Sequence, residues 1–333
     1  MKLKDEFSLN QLKMTAITKQ AGKDLTFPTF EDIPVSTKTI IAKTNLALDI
    51  EKIYEKLPIT DYIVVPKRRG RKKKSDVIDP NKDIETGSII TIEHEDKIRG
   101  VDLKKKASAK KKRGKYFRNS VTIIMIVDGK PINFKISRNG KFQLTGCKTD
   151  HQAETCLKYF WKYIKDEKDT YTAEKTEDEG VELEILFIPA MRNIDFSLGF
   201  LVDREKLSTY INKETRFNSM LEASFGYTGV NIKFPVIDDL IYLDIKQFTA
   251  KTDKKGEIVW KEELVPYTKY LESLPLKEQD KKLNKSRYNT FLVFHSGKTI
   301  LSGLCDTFQK ATYYEFLEII KEAYDEIKEK LED

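Results

Sequence analysis

The stretches RNGKFQLTGCKT at residues 138–149 and HSGKTILSGLCD at residues 295–306 repeat one phrase. Each copy has a turn that ends in Gly-Lys, a short strand pattern, and a small polar residue followed by glycine. Glycine turns between alternating strands indicate β-hairpins. A run with helical spacing of apolar residues follows each copy. The pattern therefore predicts that the chain is an internal duplication of a unit that ends in a hairpin and a helix.

Three landmarks with similar separations define the duplication. The landmarks are Asp49 with Asp203, 154 residues apart, Gly87 with Gly229, 142 apart, and Gly140 with Gly297, 157 apart. Each unit is predicted to run strand, helix, strand, insert, hairpin and helix. The helix patterns have one apolar face each, so we expect them to cover one face of an antiparallel sheet. The predicted fold class is α+β.

Composition divides the 333 residues into an extension, two repeats, a linker and inserts. The predicted boundaries are 1–34 for the N-terminal extension, 35–165 for repeat 1, 166–184 for an acidic linker and 185–330 for repeat 2. Repeat 1 carries basic inserts at 66–74 and 102–115, and repeat 2 carries an insert at 238–287.

Several function classes lack support in the sequence. The three cysteines have no short spacing, which argues against a disulfide scaffold and a zinc knuckle. Cys147 and Cys305 follow the repeated phrase and are interpreted as small core residues. No phosphate-binding loop, dinucleotide fingerprint or HExxH motif occurs. The start of the chain has no secretory signal, and no apolar stretch could span a membrane. We expect an intracellular, non-enzymatic protein without a cofactor, a membrane partner or a small-molecule substrate.

The second hairpin predicts an apolar sheet face that needs a cover. Phe291 and Val293 alternate with Leu292 and Phe294, so both faces of this strand are apolar. A half-solvated antiparallel strand should carry polar residues on one face. Either a binding partner covers this face, or the inserts fold over it and it is ordinary core.

The doubled unit resembles the TATA-binding protein (TBP) family, including the divergent members encoded by large DNA viruses. The most specific segments are LVFHSGKTILSG and YTGVNIKFP in repeat 2. The resemblance covers about 35–58, 84–95, 118–165, 185–235 and 288–328. It implies two pseudo-symmetric repeats that form a curved antiparallel saddle, with helices on the convex face and a concave face that binds the DNA minor groove.

The resemblance also implies roles for residues of repeat 2. Phe294 and Tyr227 stand where the family inserts aromatic wedges between base steps. Asn193 stands where a family asparagine donates to minor-groove acceptors. The other DNA-contacting positions are Leu292, Ile300 and Ser302 on the groove face, and Lys298 and Lys233 at phosphates. Asp195 departs from the family, which has a groove-facing valine there.

Repeat 1 departs from the family pattern further. Its first wedge position falls at Glu85, beside Ile84. Its second falls near Ile136 or Ser137 because the SRNG turn is interpreted as one residue longer; Phe134 could serve only if the strand slipped. Thr39 replaces the family asparagine, whereas Thr145, Lys141 and Lys148 are retained as DNA-contacting positions. We therefore expect an asymmetric grip on DNA, strong in repeat 2 and weak or altered in repeat 1.

The basic inserts permit more than one interpretation. PKRRGRKKK at 66–74 supplies five predicted DNA-binding residues, which are Lys67, Arg68, Arg69, Arg71 and Lys72. Such runs can be solvated loops or nuclear-import signals. They can also neutralise phosphates and add salt-dependent affinity. The Arg-Gly-Arg core is similar to an AT-hook, although the usual proline after that core is missing.

The leading functional hypothesis is a TBP-like initiation factor. It would bind A·T-rich promoter DNA in the minor groove, bend it, and recruit a B-family initiation factor and RNA polymerase. The expected location is the nucleus or a viral factory in the host cytoplasm. The alternative is an architectural or scaffold protein that keeps the fold and binds a protein partner, or that binds DNA non-specifically through its basic inserts. Asp195 and Glu85 favour the alternative.

Overall fold

A computed structural model describes residues 25–64, 80–103, 119–173, 176–177, 180–222, 228–236, 240–253 and 255–330. Several predicted DNA-binding positions lie outside these residues. They are Tyr227 and the basic residues Lys67, Arg68, Arg69, Arg71 and Lys72, together with the basic run at 104–115.

The described residues form β-strands and α-helices in alternating groups. The strands are β1 (Val35–Thr44), β2 (Leu46–Leu48), β3 (Ile89–His94), β4 (Lys97–Gly100), β5 (Ser120–Val127), β6 (Lys130–Ser137), β7 (Lys141–Cys147), β8 (Tyr171–Ala173), β9 (Thr176–Glu177), β10 (Gly180–Val181), β11 (Leu183–Ser197), β12 (Asn218–Glu222), β13 (Gly229–Pro235), β14 (Asp244–Thr252), β15 (Ile258–Pro266), β16 (Tyr288–Phe294) and β17 (Lys298–Gly303). The helices are α1 (Ile50–Lys56), α2 (Asp150–Ile164), α3 (Arg204–Glu214), α4 (Tyr267–Glu272), α5 (Leu276–Leu283) and α6 (Asp306–Ile327).

Repeat 1 is an antiparallel sheet with two helices on one face. Its strands run in the order β1-β7-β6-β5-β3-β4. Alternate residues of these strands are buried, and they pack with the apolar sides of α1 and α2 in one core. Phe134 and Phe142 of the hairpin and Phe160 of α2 are central members of that core.

Repeat 2 has the same construction. Its strands run in the order β12-β13-β16-β17-β11, all antiparallel, and α3 and α6 pack on one face. The N-terminal segment joins this core, because Phe30 and Ile33 are buried in it. The Tyr313 hydroxyl of α6 donates a hydrogen bond of 2.7 Å to the Pro28 carbonyl oxygen.

Shared strand order and shared helix caps establish the duplication. In each repeat the first strand pairs with the last strand of the hairpin. Asp49 and Asp203 are both N-caps, and each accepts a 3.1 Å hydrogen bond from the backbone nitrogen three residues on, Lys52 or Lys206. The predicted α+β class with two pseudo-symmetric repeats is confirmed.

The long insert packs mainly with repeat 1, although it interrupts repeat 2 in the sequence. By contacts, the chain forms two units: residues 38–190 with 241–274, and the remaining described residues. Strand β14 pairs with the Leu183–Phe187 part of β11, and Phe248 and Ala250 lie in the repeat 1 core. The 238–287 segment thus interrupts repeat 2 along the chain, while most of it packs with repeat 1.

Candidate nucleic-acid interface

The face of the repeat 2 sheet opposite α3 and α6, called the open face here, carries most of the DNA-contacting residues that were predicted in repeat 2. Ile194, Leu301, Phe291 and Val293 point into the core with 0% exposure. Because side chains alternate along a strand, their neighbours point to the open face. Leu292 and Ile300 are half-buried there, although they lie outside the repeat 2 core.

Strand register arranges the open face in two rows across the strands. The first row is Asn193, Ser302, Thr290 and Lys233. The second row is Asp195, Ile300, Leu292, Asn231 and Met220. The first row, which continues to Asn218 on β12, is polar and includes an exposed lysine, while the second is apolar at its centre. The register therefore brings together five residues predicted separately, which are Asn193, Ser302, Lys233, Ile300 and Leu292.

The hairpin turn positions the remaining predicted pair. Phe294 is the last residue of β16 and Lys298 is the first of β17. The Gly297 nitrogen donates a 2.9 Å hydrogen bond to the Phe294 carbonyl oxygen, and Gly297 has φ +74°, where glycine is favoured. Phe294 is half-buried and Lys298 is exposed. An aromatic ring and a cation thus stand at the two ends of one rigid turn.

Two amide oxygens near this face lack hydrogen-bond partners. The Oδ1 atoms of Asn193 and Asn231 are buried, and no donor reaches them from the described residues. The backbone oxygen of Asn193 does accept a 3.0 Å bond from the Ser36 hydroxyl. A buried acceptor without a donor is costly, so each of these two oxygens has an unmet need for a hydrogen bond.

The corresponding face of repeat 1 is polar at its centre. Its two rows are Thr39, Thr145, Asn133 and Ile124, and Ile41, Gln143, Lys135, Thr122 and Glu93. The equal hairpin register makes Lys135 the counterpart of Leu292 and Gln143 the counterpart of Ile300. The Thr145 hydroxyl donates to the Asn133 carbonyl oxygen at 3.2 Å. Lys141 and Lys148 are exposed, as a phosphate contact requires.

The second wedge position of repeat 1 requires a correction. Three residues separate Ser137 from Lys141 and Phe294 from Lys298, so the two turns have equal length. Ser137 is therefore the counterpart of Phe294. Ile136 and Phe134 are both 0% exposed in the core, which removes them as wedges.

The first wedge position of repeat 1 also requires a correction. Ser120 pairs with Ser137 as Gly229 pairs with Phe294, so β5 is the counterpart of β13. The counterpart of Tyr227 is then Arg118, which lies outside the described residues, and not Glu85.

A small apolar cluster covers part of this face of repeat 1. Ile84 and Tyr62 pack against Ile90, Ile124 and Ile126. The Asn81 side chain joins the two covering segments through hydrogen bonds of 2.9 Å from the Ile63 nitrogen and 2.8 Å to the Ile63 oxygen. The sequence did not predict this cover, because its contacts depend on non-local packing.

The cysteines are core residues, as predicted. All three thiols are buried. Burial raises the pKa of Cys147 to about 11, and it also raises the pKa values of Cys156 and Cys305. These thiols therefore stay protonated at neutral pH. Within the described part of the chain, no group of His, Cys, Asp and Glu side chains could hold a metal ion, and no helix is long and apolar enough to cross a membrane.

Comparisons with known proteins agree with the resemblance to the TBP family. No family model matches the chain. The chain is 25% identical over 222 residues to the TATA-box-binding protein-like protein of Acanthamoeba polyphaga mimivirus, which covers 61% of this chain and 54% of that protein. It is 22% identical over 219 residues to uncharacterized protein 335L of Invertebrate iridescent virus 6, which covers 65% of this chain and 64% of that protein.

A solved structure of Methanococcus jannaschii TBP aligns with 89% of this chain and 99% of its own, with a TM-score of 0.42 and 14% identity. The matches to the two viral proteins span less than two thirds of those relatives. The mimivirus relative confirms the resemblance to TATA-binding proteins that the sequence indicated.

Proposed function

We propose that this protein is a TBP-like transcription initiation factor that binds promoter DNA in the minor groove through the open face of repeat 2. The observation that carries the proposal is the combination of an apolar centre with exposed lysines on one sheet face. Leu292 and Ile300 form the centre, Phe294 stands at one end, and Lys298 and Lys233 supply charge. Lysines beside an apolar wedge suit the phosphates that border a minor groove.

The chemistry of these groups suits a widened minor groove. An apolar side chain that enters a base step unstacks it and kinks the duplex, which exposes the groove floor to apolar contact. Lysines beside the groove neutralise phosphates and release counterions. The same groups would discriminate weakly between A·T and T·A pairs, because the minor groove presents similar acceptors for both.

The proposed role extends to partners and location. A protein that bends promoter DNA would recruit a B-family initiation factor and RNA polymerase, and it would act in the nucleus or in a viral factory. The viral origin of both relatives supports this part of the proposal. In this role the protein is not an enzyme and needs no cofactor.

A scaffold role remains the second candidate. The observation in its favour is the polar face of repeat 1, where Lys135 and Gln143 replace the apolar centre. Such a face suits a hydrated protein contact better than a minor groove opened by wedges.

The deciding experiment measures binding to an A·T-rich and a G·C-rich duplex of equal length, with dyes on the DNA ends and a series of salt concentrations. We expect tighter binding and a larger bend with A·T-rich DNA that contains TA steps, because its minor groove accepts donors and TA steps kink readily. Equal binding to both duplexes, without bending and lost as salt rises, would contradict groove recognition and favour the scaffold role.

Replacing residues 67–74 and 104–115 by Gly-Ser sequences of the same length should flatten the salt dependence of DNA affinity. Each phosphate contact that is lost lowers the slope of log affinity against log salt by about 0.9. The measurement is a set of binding isotherms across the salt series. Equal replacement lengths keep the chain length unchanged, so an identical slope would show that these basic runs do not touch phosphate.

A further inference from the structure

Asp195 is the one charged residue in the second row of the open face of repeat 2. It pairs with Ile300, which in turn pairs with Leu292, so the carboxylate borders the apolar centre. Asp195 is exposed, and none of the described residues forms an ion pair with it. An ionised carboxylate only accepts hydrogen bonds. Any ligand that covers this row must therefore supply a donor or leave a desolvated charge unpaired.

Asn193 adds a second acceptor on the same strand. It lies two residues before Asp195, on the same face and at a distance of about 7 Å along the strand. Its Oδ1 atom has no donor among the described residues. The Asn193 oxygen is buried, so the exposed Asp195 carboxylate is the acceptor of this strand that a ligand can reach.

The minor groove offers a base-edge donor at one kind of pair. A·T and T·A pairs present acceptors there, whereas a G·C pair adds the guanine 2-amino group. A carboxylate against acceptors loses solvation and gains no partner. This inference rests on the proposed function: we propose that Asp195 makes repeat 2 select a G·C pair through the guanine 2-amino group within an otherwise A·T-rich site.

Repeat 1 lacks this device. The register gives Ile41 as the counterpart of Asp195 and Thr39 as the counterpart of Asn193. The guanine preference is therefore confined to the half of the site that repeat 2 contacts. A site with one selective half sets the direction in which the protein lies on the DNA, and so the direction of transcription.

Base analogues test the role of the amino group alone. Inosine is guanine without its 2-amino group, and 2,6-diaminopurine is adenine with one added. At each position of an A·T-rich duplex in turn, four duplexes are compared, which carry a G·C, an inosine·C, a diaminopurine·T or an A·T pair there. At one position, wild-type protein should bind the G·C and diaminopurine·T duplexes about tenfold tighter than the other two.

Asp195→Asn should abolish this selectivity, because the amide also donates to the acceptors of inosine·C and A·T pairs. Asp280→Asn is the matched control, since it makes the same charge change at an exposed residue of α5, a helix with no buried residues. The control should bind every duplex slightly tighter and keep the tenfold preference. If Asp195→Asn folds normally and binds the A·T duplex more tightly than wild type does, Asp195 acts through contact with the base and not through the stability of the fold.

Two results would overturn the inference. The first is a wild-type protein that bends A·T-rich DNA but binds G·C and inosine·C duplexes equally at every position; the proposed function would then stand without it. The second is equal selectivity in wild type and Asp195→Asn. Absence of any groove-dependent binding would instead remove the proposed function itself, and Asp195 would then serve a cationic protein partner.

Discussion

Phe294→Ala should reduce the bend that the protein induces in DNA by about 20° or more, the smallest kink that an inserted wedge produces. The ring stands at the end of β16, half-buried and outside the buried core cluster of repeat 2. Its removal takes away the group that would enter a base step but leaves the turn at Gly297 in place. The measurement is energy transfer between dyes on the two ends of an A·T-rich duplex at saturating protein.

Ser137 supplies matched controls for this prediction. It occupies the same place in repeat 1, before a turn of the same length. Ser137→Ala should leave the bend unchanged, because serine is not a wedge. Ser137→Phe adds the missing ring and should increase the bend. If Phe294→Ala bends saturated DNA as wild type does, this residue has no part in the mechanism.

Two of the three landmarks in the sequence predicted the repeat correctly because local physics fixes them. Asp49 and Asp203 cap helices within three residues of themselves. Gly140 and Gly297 have φ values of +68° and +74°, which their turns require. A pattern that a few neighbouring residues determine can be recognised without the rest of the fold.

The third landmark, which matched Gly87 with Gly229, was wrong because glycine is required for a different structural reason at each position. Gly87 has φ +97°, and a Cβ there would come within 2.1 Å of the Tyr159 ring on α2. Gly229 lies opposite Phe294, where a Cβ would come within 2.7 Å of Leu292. A glycine followed by an alternating pattern therefore occurs before β3 in repeat 1 and at the start of β13 in repeat 2, and these strands are not counterparts. Only the cross-strand register separates them, and that register is a non-local property.

The sequence predicted the part of the candidate site that depends on the alternation of side chains along a strand. The LVFHSGKTILSG phrase placed Leu292, Phe294 and Ile300 on one face, and the structure has the same face. The cover of Ile84 and Tyr62 on repeat 1 was not predictable. Neither was the pairing of β14 with β11, because it joins segments about 60 residues apart that carry no shared pattern.

Phe291→Ala and Leu292→Ala should have different main effects although the residues are adjacent on β16: the first on stability, and the second on DNA binding. Phe291 is 0% exposed, and its ring stacks on Phe316 with centroids 4.0 Å apart and meets Phe234 edge-on at 5.1 Å. Truncating it leaves a cavity against α6 and should lower the free energy of unfolding by about 3–5 kcal/mol. Urea denaturation followed by circular dichroism measures this loss.

Leu292 points to the open face, where it is half-buried beside Ile300. Leu292→Ala should cost about 1 kcal/mol of stability, since only part of its surface is buried. It should nevertheless weaken binding to A·T-rich DNA, because the groove floor loses its apolar contact. Equal destabilisation by the two substitutions would mean that the open face is buried as core and is not available to DNA. The alternation of β16 would then serve stability on both faces, and DNA would have to bind elsewhere.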